Sequence, residues 1–114
     1  MSGVDIAMAE KLFKIEFYVP PSHLEVVKEA LFKAGAGKVG DYDMCCWQTL
    51  GQGQFKPGSE SSPYQGALDQ LEKIEEYKVE LVCSAPELPL VVTALNKSHP
   101  YEEPAYSVIK LESL

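Results

Sequence analysis

A chain of 114 residues, 46% hydrophobic and 24% charged, has the size and composition of one ordinary globular domain. Its formal net charge of −7 repels nucleic-acid phosphate and anionic lipid, which excludes both as general partners unless a basic patch exists. The lysines are scattered and form no run, and no apolar stretch reaches the roughly 18 residues that suggest a membrane-spanning helix.

Residues 1–10 lack the basic start and apolar core of a secretion signal. They read as a flexible leader to a single domain over 11–112, and the chain reads as cytoplasmic. Residues 11–19 alternate, with Phe13, Ile15, Phe17 and Val19 on one face and Lys14, Glu16 and Tyr18 on the other, the pattern of a half-buried strand. Pro20-Pro21 ends it. Ser22-His23-Leu24-Glu25 has the form of a capping box. Leu24, Val27, Leu31 and Ala34 then recur at helical spacing, predicting an amphipathic helix over 23–34 stopped by Gly35 or Gly37.

Asp41 to Leu50 can form a strand. Gly51-Gln52-Gly53-Gln54-Phe55 reads as a glycine-rich loop, with a bulge or a close backbone approach. Residues 58–66 form a long polar loop of the kind that is functional or mobile. Residues 67–76 are charged and weakly periodic, and Tyr77 to Cys83 alternates again as a strand. Ser84-Ala85-Pro86-Glu87 repeats the capping-box pattern, and Leu88, Val91, Val92 and Leu95 form the stripe of a second helix over 86–98. Pro100 ends that helix, and residues 105–112 form the last strand.

The two halves repeat one pattern of strand, Ser-x-x-Glu, helix and strand, with Lys14-Ile15-Glu16-Phe17 matched by Lys78-Val79-Glu80-Leu81. The implied fold is α+β: a ferredoxin-like βαββαβ sandwich, with an antiparallel four-stranded sheet, two helices on one face and a long excursion between the halves. Tyr18, Val82, Tyr106 and Val108 fall on the sheet's uncovered face in this register. An exposed apolar and aromatic face predicts self-association.

The stretch His99-Pro100-Tyr101-Glu102-Glu103-Pro104 is the most distinctive in the chain. Its residues offer nitrogen and oxygen ligands, so a divalent metal is one reading, with His99 joined by Cys45 and Cys46. A structural reading stands beside it, in which Pro100 stops the helix, Tyr101 packs and Pro104 leads into the last strand. The three cysteines, Cys45, Cys46 and Cys83, include no C-x-x-C spacing and read as small buried hydrophobes. Gly51, Gln52, Gly53, Gln54 and Phe55 lack the lysine of a phosphate-binding loop. The adjacent pairs Glu75-Glu76 and Glu102-Glu103 read as solvated surface.

The segments ALFKAGAGKVGDYDMCCWQTLGQGQFKP and KIEEYKVELV, together with HPYEEPAY, resemble the insert domain of the Nif-three-like proteins, the dinuclear-metal-centre family also called type-two GTP cyclohydrolase-like. The resemblance covers roughly residues 11–112. It implies a ferredoxin-like unit similar to the trimeric PII and CutA proteins, with ligand sites near subunit boundaries. The family's paired metals are held by flanking domains that are missing here, so the hydrolase activity is not carried over. The expectation is a stand-alone, non-enzymatic module forming a homo-oligomer, dimer or trimer. It would bind a small ligand, a metal ion or a protein partner through Gly51, Gln52, Gly53, Gln54 and Phe55 and through His99, Tyr101, Glu102 and Glu103. Two alternatives stand beside it: an accessory subunit of a separate Nif-three-like hydrolase, and a CutA-like metal-tolerance protein.

Overall fold

The computed structural model describes residues 11–112, and the leader expected over 1–10 lies outside the described residues. Four strands, β1 (Leu12–Val19), β2 (Trp47–Phe55), β3 (Glu72–Ser84) and β4 (Tyr106–Lys110), form one sheet in the order β2-β3-β1-β4. All three pairings are antiparallel. Helices α1 (Leu24–Lys33) and α2 (Leu88–Ser98) connect the strands of each half, giving the ferredoxin-like α+β architecture that the doubled pattern implies.

The alternation in β1 and β3 produces the core. Ile15, Phe17 and Val19 of β1 and Val79, Leu81 and Cys83 of β3 are buried against Leu24, Val27 and Leu31 of α1 and Val91 and Leu95 of α2. Each large apolar side chain removed from water in this way stabilises the fold by about 1.5–3 kcal/mol.

The helix starts differ from the capping-box expectation. Pro21–His23 forms a short 3-10 turn, so α1 begins one residue later, and the Ser22 hydroxyl bonds His23 Nδ1 at 2.8 Å rather than a helix amide. At α2 the Ser84 carbonyl, not its hydroxyl, accepts from the Glu87 amide at 3.1 Å. The end of α1 does follow from its glycine. Gly35, at φ 112°, lets the Ala36 amide donate to Leu31 O at 3.0 Å and the Gly35 amide donate to Phe32 O at 3.1 Å, the Schellman arrangement.

Three strand readings are corrected. Residues 41–46 are not strand. The β2 ladder runs one-to-one from Trp47 through Gly51 and Gly53 to Phe55, without a bulge. The glycine-rich stretch is therefore strand rather than loop. β3 also begins at Glu72, five residues before Tyr77. Because β1 reaches only as far as Tyr77, residues 51–55 and 72–76 form a two-stranded arm beyond the body, and the molecule extends 55 Å along its long axis. The third correction concerns β4. Tyr106 lies opposite Phe17 and Val108 opposite Ile15. Directly opposed residues share a face, so both stand on the helix side at an edge, and Ser107 and Ile109 face outward instead.

Candidate functional site

The last turn of α2 delivers His99 beneath the end of β1. His99 is only 6% exposed and both ring nitrogens are engaged. The Tyr101 amide donates to Nδ1 at 3.1 Å, and Nε2 lies 2.6 Å from Tyr18 O. A carbonyl can only accept, so the ring is the neutral tautomer with its proton on Nε2. Burial holds the imidazole below its usual pKa, the bond to Tyr18 O opposes this, and the charge of His23 adds to the lowering.

Tyr101 packs on that ring, with centroids 4.7 Å apart. Its hydroxyl donates to Glu76 Oε2 of β3 at 2.9 Å. Burial, and then the Glu76 carboxylate, push the phenol well above its usual pKa. The other carboxylate oxygen of Glu76 lies over Gly53, in the space a side chain there would need. The two motifs singled out in the sequence therefore meet on one carboxylate. Two residues back along the same strand, Gly51 lies opposite Glu76 and has open space above it.

The excursion closes back on the same loop. The Ser62 amide donates to Glu102 Oε2 at 2.7 Å. Tyr64 stands 6.0 Å from Tyr101 and 5.7 Å from His23 by ring centroid. The polar segment 58–66 is thus a strap held across the loop by one hydrogen bond and a row of aromatic rings.

Beside this junction lies a cleft of about 560 Å³, lined by Gly51, Gln52, Gly53, Gln54, Tyr18, Thr49, Glu76, Lys78, Glu80 and Ala105. It sits on the sheet face away from the helices. The centre of that face is charged, not apolar as the sequence register implied. Lys14 bonds Glu80 at 2.7 Å and Glu16 at 3.4 Å, and Lys78 lies 3.7 Å from Glu16. Hydrogen bonding between the partners raises the Lys14 pKa and lowers that of Glu80. Apolar groups border these charges: Val82, Ile109, Tyr18 and Trp47, the last 68% exposed.

A pair of substitutions tests the glycine geometry. Gly53→Ala is expected to force Glu76 off Tyr101 and to cost about 1 kcal/mol, the worth of one hydrogen bond to a charged group less the backbone gain of alanine. Gly51→Ala has room and is expected to be neutral or to stabilise by about 0.5 kcal/mol. Urea denaturation of both variants reads the difference.

The candidate residues fall into separate places. Gly51 to Gln54 line the cleft, His99 and Tyr101 lie beside it, and Glu102 holds the strap. Glu103 is exposed, and Phe55 sits at the far end of the arm. Cys45 and Cys46 lie elsewhere. The Cys45 amide bonds Gly37 O and the Gly37 amide bonds Val82 O, and Val82 pairs with Lys14, whereas His99 holds Tyr18, four residues along β1. That separation is roughly 13 Å of strand. Among the described residues no three His, Cys, Asp or Glu side chains gather to hold a metal ion. His99 also has no free lone pair, so these residues do not fit a resident metal. Glu76, read as solvated surface, belongs to the site instead. The signal for it was the run Ile74, Glu76, Lys78 and Glu80 at alternate positions, which extends β3 past its apolar portion.

The fold is the ferredoxin-like α+β fold shared by the CutA and GlnK proteins. CutA1 from Pyrococcus horikoshii superposes with a TM-score of 0.65 at 14% identity, covering 90% of this chain and 85% of that one. GlnK of B. subtilis in its ATP complex gives 0.58 at 16% identity, covering 90% and 84%. At these identities the likeness is one of fold. Sequence relatives are more specific. The chain is homologous to one segment of the NIF3-related proteins. The Bacillus cereus protein related to NIF3 superposes with a TM-score of 0.79 at 37% identity over 92% of this chain and 27% of that one. Proteins named GTP cyclohydrolase 1 type 2 homolog match at 43% identity in Halalkalibacterium halodurans, over 90% of this chain, and at 42% in Mycobacterium leprae, over 88%. The chain spans about a quarter of the length of these relatives, 27% and 26% respectively. No protein-family model matches it.

Proposed function

We propose that this chain is a non-catalytic, self-associating module of NIF3 type that binds a small ligand or a protein partner in the cleft between the glycine strand and the His99–Pro104 loop. The observation that carries the reading is Glu76, which joins Gly53 to Tyr101 at the edge of a cleft on an uncovered sheet face. The bare backbone of Gly51 beside Tyr18, Thr49 and Lys78 offers a flat floor with hydrogen-bonding walls. The groups suited to acid–base chemistry support binding over catalysis. His99 has both nitrogens engaged, and Tyr101 is held protonated by burial and then by the Glu76 carboxylate.

Self-association is supported by the same face. Its alternating lysines and glutamates can meet their own copies in complementary fashion, the exposed apolar groups around them would be buried, and among the described residues the outer edges of β2 and β4 are both unpaired. Dimer and trimer both fit these edges. The free cysteines Cys45, Cys46 and Cys83 suit the reducing cytoplasm. Among the described residues no helix is long and apolar enough to cross a membrane.

Trp47, the single tryptophan, reports on this reading. Its emission is expected to shift to the blue as concentration rises, because assembly removes it from water. An emission maximum unchanged over a hundredfold dilution series, with sedimentation showing one monomeric species throughout, would count against self-association through this face. The accessory-subunit reading has one observation in its favour, the quarter-length match to longer relatives. Co-purification with a longer NIF3-related protein from the native host tests it.

A further inference from the structure

We propose that the His99–Pro104 loop is an acid-released clamp, with His99 as its pin, that holds the strap and the base of the arm against the body. The proposal rests on hydrogen-bond geometry and does not depend on what the cleft binds. Nδ1 of His99 must be bare, because the Tyr101 amide donates to it, and Nε2 must carry the proton, because Tyr18 O accepts from it. A second proton can enter only at Nδ1. It would set an N–H against the Tyr101 N–H about 3.1 Å away, turning an attraction between donor and acceptor into a repulsion between donors.

Relief requires Tyr101 to move, and three contacts move with it. Its ring leaves the imidazole, its hydroxyl leaves Glu76, and the neighbouring Glu102 carboxylate leaves the Ser62 amide. Tyr64 then loses its ring partner in the loop. The arm and the strap are thus released by one proton at a site that touches neither directly.

The charged and titratable surroundings favour release over accommodation. β1 presents only the Tyr18 carbonyl, which is already a partner of the neutral ring. The 3-10 turn brings His23, whose charge opposes a second cation. α2 brings Lys97 in its last turn. The carboxylates are committed elsewhere, Glu76 to Tyr101 and Glu102 to Ser62, and Glu103 is exposed. Because the folded form binds the proton less readily than the unfolded chain, the clamp's contribution to stability is fully present above the ordinary histidine pKa of 6.5. It is lost as pH falls from there through the lower folded value.

The test is a pH titration of the full chain from about pH 7.5 to about pH 4.5, followed by the side-chain nitrogen shifts of His99 and the amide signals and exchange rates of Tyr101 and Ser62. The expected result is the Nε2–H tautomer at neutral pH. One transition should follow at the His99 midpoint, in which both amides shift and their protection, taken against the intrinsic exchange rate at each pH, falls at least tenfold. Glu102→Gln keeps an acceptor for Ser62 and removes carboxylate titration, and the transition should persist in it. His99→Asn can still accept from the Tyr101 amide but does not titrate, and the transition should vanish. The clamp is overturned if the Ser62 amide is unmoved while His99 titrates. A response that follows a carboxylate midpoint and disappears in Glu102→Gln, or one that survives in His99→Asn, also overturns it. Should His99→Asn fail to fold, the wild-type and Glu102→Gln titrations still decide.

Discussion

His99→Ala is expected to lower the unfolding free energy by about 3 kcal/mol, measured by urea denaturation at neutral pH. The substitution leaves the Tyr18 carbonyl and the Tyr101 amide without partners in a buried setting, and each orphaned group costs about 1–3 kcal/mol. Asparagine should recover part of the loss, since it reaches the Tyr101 amide but not Tyr18 O. If His99 were merely a surface residue of the loop, alanine would change stability by no more than about 0.5 kcal/mol. Such a small effect would remove the basis for reading this stretch as a structural junction.

Phe17→Ala is expected to be the most damaging single substitution in the body, at about 3–5 kcal/mol. Phe17 is fully buried and is the largest of the fully buried side chains. It lies opposite Val79 on one side and Tyr106 on the other, so its loss opens a cavity at the centre of the sheet. The exposed counterpart on the same strand, Tyr18→Ala, removes part of the cleft wall and should cost far less. Chemical denaturation of the two variants side by side checks the assignment of faces along β1. Equal losses would contradict it.

Fold and site differ in how far the residues announce them. β1, the apolar part of β3 and both helices have one buried face each, and burial on one side is what writes a period of 2 or 3.6 into a sequence. Those elements lie close to where the spacing of Ile15, Phe17 and Val19, or of Leu24, Val27 and Leu31, puts them. The arm has no buried face. Gly51 to Gln54 and Glu72 to Glu76 are exposed or half-exposed on both sides, so no apolar face marks them, and the glycines suggest a loop. Backbone pairing with β3 overrides that local preference.

The β4 register failed for a related reason. On a short edge strand, Tyr106, Val108 and Ile109 are all partly exposed, and the apolar pattern does not say which of them faces the helices. The candidate site was legible as two motifs but not as one place. Their meeting depends on Glu76, a residue whose local sequence reads as charged surface, and on pairings between segments that are distant along the chain. The metal reading of His99 fails on a contact no motif carries, the carbonyl of Tyr18 some eighty residues upstream, 81 positions away.

Sedimentation equilibrium of the purified chain at micromolar concentration, as wild type and as Lys14→Glu, decides whether copies assemble through the open sheet face. Lys14 forms ion pairs with Glu80 and Glu16 at the middle of the open face, and reversing its charge places three carboxylates together where copies would meet. The expected result is a defined dimer or trimer for the wild-type chain, and a folded monomer, with unchanged circular dichroism, for Lys14→Glu. A wild-type chain that remains monomeric, or a Lys14→Glu chain that assembles equally well, would contradict assembly through this face.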